Sequence, residues 1–183
     1  MIGNALGALY FIVRTLLSML LFVFMLRVLL QWARADFRNP LAQAVVKITN
    51  PLVMPLRRLL PPIGKVDTSS IVAVLIVAAL GELILSLFTG TSFLLDPLHW
   101  LKLIVVKLVW TTLNAYFWAI LIYAVLSMIA PGGYSPMQSL LGALCEPVLR
   151  PFRRIIPPIA GLDFSPLWAC LAIQALLFFV PVL

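Results

Sequence analysis

Acidic residues are scarce in this chain: six Asp and Glu among 183 residues, with one histidine and two cysteines. A single histidine, His99, cannot build a histidine-rich metal site. Cys145 and Cys170 lie far apart, without the spacing of a zinc motif or a disulfide framework. They read as small apolar fillers. Paired carboxylates in a plausible pocket, a glycine-rich phosphate loop and a nucleophile elbow are all missing, so the sequence predicts no enzyme, no metal and no cofactor. Charge of either sign is low as well, at 10% of residues, where a soluble domain carries about a quarter.

What fills the chain instead is apolar: 63% of residues are hydrophobic, and the mean hydropathy is +1.13. A water-soluble fold could not hide that much apolar surface, so part of the solvent must be lipid. The formal net charge of +7 is concentrated in two short stretches between hydrophobic runs. No aromatic-interleaved basic run is present, which points to a membrane surface rather than nucleic acid.

Four hydrophobic runs approach the roughly 20 residues that cross a bilayer. They cover about Ala8–Trp32, Ser70–Phe88, Leu101–Ala130 and Pro166–Leu183. The first lacks a basic n-region and an A-x-A site, so it reads as a retained helix rather than a signal peptide.

The connections 33–69 and 131–165 match without a gap at an offset of 96 residues. Asn39-Pro40 faces Ser135-Pro136, and Pro51 and Pro55 face Pro147 and Pro151. Arg57-Arg58-Leu59-Leu60-Pro61-Pro62-Ile63 faces Arg153-Arg154-Ile155-Ile156-Pro157-Pro158-Ile159, and Asp67 and Ser69 face Asp163 and Ser165. This register identifies an internal duplication. The expected fold is an all-α membrane protein with four transmembrane helices, arranged as two parallel tandem repeats of transmembrane helix, amphipathic segment and transmembrane helix. The repeats cover 1–90 and 91–183, with amphipathic segments 39–62 and 135–158.

An even number of crossings per unit puts both connections on one side. They carry Arg34, Arg38, Lys47, Arg57, Arg58 and Lys65, then Arg150, Arg153 and Arg154. The positive-inside rule places them in the cytoplasm and both termini outside, with Lys102 and Lys107 as exceptions near the opposite face.

Asn39 and Ser135 are good N-caps before a proline, and Ser135 with Gln138 fits a capping box. Leu41, Val45, Ile48, Leu52 and Leu56 form an apolar stripe opposite Gln43, Lys47, Asn50 and Arg57. Such a helix suits the headgroup plane. The stripe recurs as Met137, Leu140, Leu141, Leu144 and Val148. Pro51 and Pro55 predict a break after about Thr49, followed by a short turn or a re-entrant dip. Ser69 and Ser165-Pro166 are the expected caps of the returning helices. Lys47 and the pairs Arg57-Arg58 and Arg153-Arg154 are candidate contacts to anionic headgroups or to an acidic protein partner.

Glu82 is costly within a membrane helix and should have a partner. Arg14 and Lys107 lie at similar depth, which predicts a polar cluster of Arg14, Glu82 and Lys107, joined by Asn114 or Gln174. Such a cluster is an interhelical clamp or part of an ion or proton path.

The doubled N/S-P…P-x-x-x-P-x-R-R-h-h-P-P-I…D-x-S pattern, where h is apolar, resembles the YggT (YlmG) family over nearly the whole chain. The resemblance implies a bacterial inner-membrane protein without family catalytic residues to carry over. Relatives are connected with osmotic and potassium homeostasis, with division or nucleoid organisation, and with haem attachment in chloroplasts. The last transfers poorly to a chain with only His99 and no C-x-x-C-H. The expected function is a non-enzymatic scaffold or assembly factor whose basic segments contact lipid or a partner. The alternative is a small ion-conducting or ion-homeostasis protein, which requires a homo-oligomer because four helices rarely enclose a pore.

Overall fold

A computed structural model describes residues 2–60, 67–90, 96–129, 135–155 and 163–180. These residues form six helices and no strand: α1 (Ile2–Trp32), α2 (Pro40–Leu59), α3 (Thr68–Thr89), α4 (Pro97–Ile129), α5 (Pro136–Ile155) and α6 (Ser165–Phe179). Three of them, α1, α3 and α4, are long and apolar enough to cross a membrane. Helix α6 is apolar but is described over 15 residues, about 22 Å at 1.5 Å per residue. The last three residues of the fourth hydrophobic run lie outside the described residues.

Much of the exposed surface of α1, α3, α4 and α6 is apolar. Leu16, Leu80, Leu87, Val125 and Phe178 are exposed, whereas the seams between helices are rich in small side chains: Ala73, Ala78, Ala115, Ala119 and Ala169 are buried. Among lipid-facing helices, close backbone approach through small residues substitutes for the hydrophobic effect, because lipid is as apolar as leucine. Helix α1 packs against α2, α3, α4 and α5, and α6 packs only against α4 and α5 among the described residues.

Helix α2 runs unbroken through Pro51 and Pro55, and α5 through Pro147 and Pro151. This corrects the expected break after Thr49. Each proline deprives the carbonyl four residues earlier of its hydrogen bond. Pro51 and Pro55 are exposed and lie four residues apart, so both losses fall on one outward face, where solvent can satisfy the freed carbonyls. The Pro61-Pro62-Ile63 and Pro157-Pro158-Ile159 triplets and Lys65 lie outside the described residues.

Asn39 and Ser135 cap as their sequence predicts: Asn39 Oδ1 accepts from the Leu41 amide at 2.9 Å, and Ser135 Oγ accepts from the Gln138 amide at 3.0 Å. At the returning helices aspartates accept from the serine amides, a second correction: Asp67 is the N-cap of α3, whereas α6 has Phe164 at its N-cap and Asp163 one residue before it. Asp67 Oδ1 accepts from the Ser69 amide at 3.2 Å, and Asp163 Oδ1 accepts from the Ser165 amide at 2.9 Å. An aspartate two residues upstream reaches the orphan N–H that a serine at the helix start cannot reach with its own side chain. Ser69 and Ser165 are buried just inside the helices.

Helix α1 ends in a Schellman motif, in which the Ala35 amide donates to the Leu30 carbonyl at 2.9 Å and the Arg34 amide to the Gln31 carbonyl at 3.1 Å. The motif needs a left-handed residue, and Arg34 supplies it at φ 53°. Gly90 fills the corresponding role after α3 at φ 70°, without the Cβ clash. Arg34 therefore carries a strain of about 1–2 kcal/mol. Replacing Arg34 by glycine is expected to stabilise the protein by about 0.5–1 kcal/mol, after the extra chain entropy of glycine is subtracted. A rise of a few degrees in thermal unfolding in detergent would show it; a fall would mean that the Arg34 side chain holds something more valuable than the strain it imposes.

Candidate functional site

The polar chemistry gathers at the end of the bundle where α2 and α5 lie, and its centre is an arginine inside the first hydrophobic run. Arg27 of α1 is 2% exposed. Its Nη1 donates to Thr49 Oγ1 at 2.7 Å and to Asn50 Oδ1 at 2.9 Å, and its Nε donates to Ser70 Oγ at 3.1 Å. One guanidinium thus joins α1 to both α2 and α3. Its planar fork, with five donors and no way to discharge, suits that junction. Ser70 Oγ also accepts from Gln31 Nε2 at 3.1 Å and donates to Asp67 Oδ2 at 3.3 Å.

Asp67 is the link to the next feature. It pairs with Arg57 at the end of α2, through Arg57 Nη2 and, at 3.2 Å, Arg57 Nε. The same pair recurs 96 residues on: Arg153 Nε donates to Asp163 Oδ2 at 2.8 Å, and Arg153 Nη1 donates to Glu146 Oε2 at 2.7 Å. Each pair ties the end of an amphipathic-segment helix to the start of the next helix, across a connection whose middle is outside the described residues. The two arginines of each Arg-Arg pair therefore differ. Arg57 and Arg153 are engaged, whereas Arg58 and Arg154 are exposed and make no ion pair among the described residues.

The second half lacks the buried guanidinium. Tyr123, half-buried, stands where Arg27 does. Cys145 stands at the Thr49 position, fully buried. Burial, and secondarily the neighbouring Cys170, pushes its thiol up to about 12, so it stays protonated and unreactive.

Between the membrane-length helices, Lys107 of α4 pairs with Glu82 of α3, each side chain about 15% exposed. Arg14 lies exposed on α1. Asn114 does not join the pair: its Nδ2 donates to the Trp110 carbonyl at 2.9 Å, one turn back on its own helix. Gln174 is exposed on α6. Lys47 is exposed on α2 beside a shallow open depression of about 700 Å³, lined by Phe37, Gln43, Asn50 and Met54 among others. Among the described residues no group of three His, Cys, Asp or Glu side chains could hold a metal ion.

The profile of the CCB3/YggT family matches residues 6–88 and again residues 103–183. The chain belongs to this family. An uncharacterised protein of Pseudomonas aeruginosa, PA0392, is 42% identical over 177 residues, covering 95% of this chain and 88% of that one. The uncharacterised protein YggT of Escherichia coli K12 is 36% identical over 163 residues, covering 88% and 82% of the two chains. An uncharacterised Haemophilus influenzae protein is 35% identical over 146 residues, covering 79% and 76%. No solved structure matches the chain. In this CCB3/YggT chain both profile matches contain one Arg–Asp pair, so the element common to the two halves is the tie between helices rather than the buried guanidinium.

Sequence reasoning assigned Arg27 no role, because a single arginine within an apolar run does not by itself name its partners. The usable signal was Thr49, Asn50 and Ser70, polar residues on the neighbouring elements that an arginine could bind. Replacing Arg27 by methionine is expected to destabilise the protein by about 3 kcal/mol, since it strands hydrogen-bonding groups that served a charge. Replacing Arg58 by glutamine should change stability by less than about 0.5 kcal/mol. Paired thermal-unfolding measurements in one detergent check both, and equal effects would remove Arg27 from its central place.

The aspartates give a pH signature. Burial alone would raise the Asp67 carboxyl, but Arg57 and the Ser69 amide outweigh it and hold Asp67 below the ordinary carboxylate range. Asp163 is likewise depressed, because Ser165 and Arg153 overcome its burial. A carboxylate with a depressed folded-state pKa stabilises the fold above its unfolded value, about 4, and loses that contribution as pH falls through the folded value. Wild-type unfolding temperature should therefore drop below about pH 4. An Asp67→Asn, Asp163→Asn double variant should lose most of this slope, and an unchanged slope would assign the acid sensitivity to other carboxylates.

Proposed function

We propose that the protein is a non-enzymatic scaffold or assembly factor of the bacterial inner membrane. In this reading two tandem copies of one unit place α1, α3, α4 and α6 across the bilayer, with α2 and α5 in the cytoplasmic headgroup layer and both termini outside. The observation that carries it is the division of the α2 surface into three sectors. At about 100° per residue, buried Ala42, Thr49 and Val53 face the bundle. On one side of them lies an exposed apolar flank of Leu41, Ile48 and Leu59, and on the other an exposed polar flank of Gln43, Lys47 and Arg57. A helix with protein on one side, apolar surface on the second and charge on the third fits a bilayer interface at the edge of a bundle. A re-entrant dip would put Lys47 and Arg57 into hydrocarbon.

Helices α2 and α5 touch, with Asn39 Nδ2 donating to the Pro136 carbonyl at 2.6 Å, so their basic residues share one end of the bundle. That is the distribution the positive-inside rule assigns to the cytoplasm. Lys47, Arg58 and Arg154 form the free part of this surface, suited to anionic headgroups or to an acidic membrane-protein partner at about 1 kcal/mol per cation. The Arg57 and Arg153 guanidiniums, engaged with aspartates, hold the surface in place. Glu82 and Lys107 neutralise each other between α3 and α4, which suits a clamp better than an ion path.

A Lys47→Gln, Arg58→Gln, Arg154→Gln triple variant should insert and unfold like wild type, while retaining several-fold less anionic phospholipid or cross-linked partner through purification. Unchanged retention would overturn the headgroup-layer surface. Liposomes holding only the purified protein should show no ion flux above empty vesicles; a flux abolished by Glu82→Gln would replace the scaffold with an ion-conducting protein.

A further inference from the structure

The contact between the two halves of the chain is one-directional. Helix α3 of the first half packs on α4 of the second, but α6 does not reach α1, as a two-fold arrangement of the halves would require. An interface of this head-to-tail kind leaves one complementary face uncovered on each end, and it continues from copy to copy into a ring or a row.

Both uncovered faces can be named from the 96-residue correspondence. Within the chain, Glu82 of α3 pairs with Lys107 of α4. The corresponding residues on the free faces are Phe178 of α6, 87% exposed, and Phe11 of α1, 68% exposed. Thr112 Oγ1 of α4 donates to Met25 Sδ of α1 at 3.5 Å. The corresponding free residues are Leu16 of α1 and Leu121 of α4, both exposed. Along α4, Thr111 and Ala115 are buried one and two turns beyond Lys107, while their counterparts Thr15 and Met19 are exposed on α1. Ala78 is buried, and its counterpart Gln174 is exposed at about the middle of α6.

We propose that this protein self-associates head to tail, the α6–α4 face of one copy docking on the α1 face of the next and repeating between chains the contact that α3 and α1 make with α4 within one chain. The occupant is a second copy because the free faces are the two sides of a junction the chain already makes once. Phe178 meets Phe11 and Leu121 meets Leu16 of the neighbour, apolar pairs in place of the ion pair and the hydroxyl–thioether contact. The Gln174 carboxamide, otherwise directed at lipid, is covered by the neighbouring helix, where polar side chains favour association. The proposal rests on the membrane placement of α1 and α6 given under the proposed function.

Differently tagged full-length copies carrying Phe11→Cys or Phe178→Cys, in a Cys145→Ser, Cys170→Ala background, test it in membranes. A disulfide should join the two tags when both variants are coexpressed, and neither variant alone should give more than a trace of dimer. No cross-link in the mixture, or equal cross-linking of one variant with itself, overturns the head-to-tail contact. Labelling with a membrane-impermeant maleimide separates this failure from that of the membrane placement: ready labelling at position 178 in sealed vesicles of both orientations means that α6 does not end within the bilayer. In addition, Phe11→Lys and Phe178→Glu should each abolish the oligomer seen in mild detergent. The double variant, which recreates the Lys107–Glu82 pair between chains, should restore it; no recovery, with both singles still inserted, counts against the proposal.

Discussion

A charge that cannot be discharged sits at the meeting point of three helices, and the first half of the molecule is arranged around it. Arginine stays protonated in any protein environment, so a guanidinium 2% exposed must find acceptors within the chain. Arg27 finds them on Thr49, Asn50 and Ser70, and Ser70 passes the connection to Asp67, which holds Arg57. The sequence of contacts runs from a membrane-length helix through the start of the next helix to the end of the surface helix. Shifting any one of these elements by a turn would strand a buried polar group at a cost of about 1–3 kcal/mol. Position, rather than net stability, is what such a network specifies.

The second half reaches the same geometry with different chemistry. Tyr123 replaces Arg27, and Glu146 replaces Asn50 and gives Arg153 a second carboxylate. With no arginine to satisfy, the Thr49 position becomes Cys145 and the Ser70 position becomes Pro166, both buried. What persists in both halves is an arginine near the end of the surface helix and an aspartate at the next helix start. Lys47 and Arg58 then project from α2 and Arg154 from α5, two helices each tied near its C-terminal end, so that a surface proposed for lipid or partner contact is held against the bundle.

Much of this was legible in the residues. Hydropathy gave the long helices, and the 96-residue register gave the correspondence that links Arg57 to Arg153 and Asp67 to Asp163. Capping rules placed the starts of α2 and α5 correctly because Asn39 and Ser135 act locally, on amides two or three residues away. Proline rules failed at Pro51 and Pro55 because their cost depends on whether the freed carbonyls meet solvent, which no local rule contains. The Arg-Arg pairs looked uniform in sequence; only packing separates the arginine that grips an aspartate from the one that points away. Glu82 announced its need for a partner, and its pairing with Lys107 depends on the relative rotation of α3 and α4, which the residues alone do not give.

The chemistry of the junction within the chain, and of the junction proposed between chains, follows from when each would form. Within one chain, α3 and α4 are neighbours from the moment of insertion, so Glu82 and Lys107 are present at high effective concentration and a buried ion pair there is never left half-made. Between chains, a copy enters the bilayer alone, and an unpaired glutamate or lysine on its lipid face would be expensive until a neighbour arrived. The free faces accordingly carry Phe11, Leu16, Leu121 and Phe178, which lipid tolerates equally well before association and after it. Gln174 and Thr15 are polar residues on those faces, neutral and therefore bearable in the isolated copy, and Gln174 can gain a partner once covered. In the proposed assembly, a chain whose halves join once by charge would join its neighbour by packing, separating what must hold permanently from what must be able to assemble.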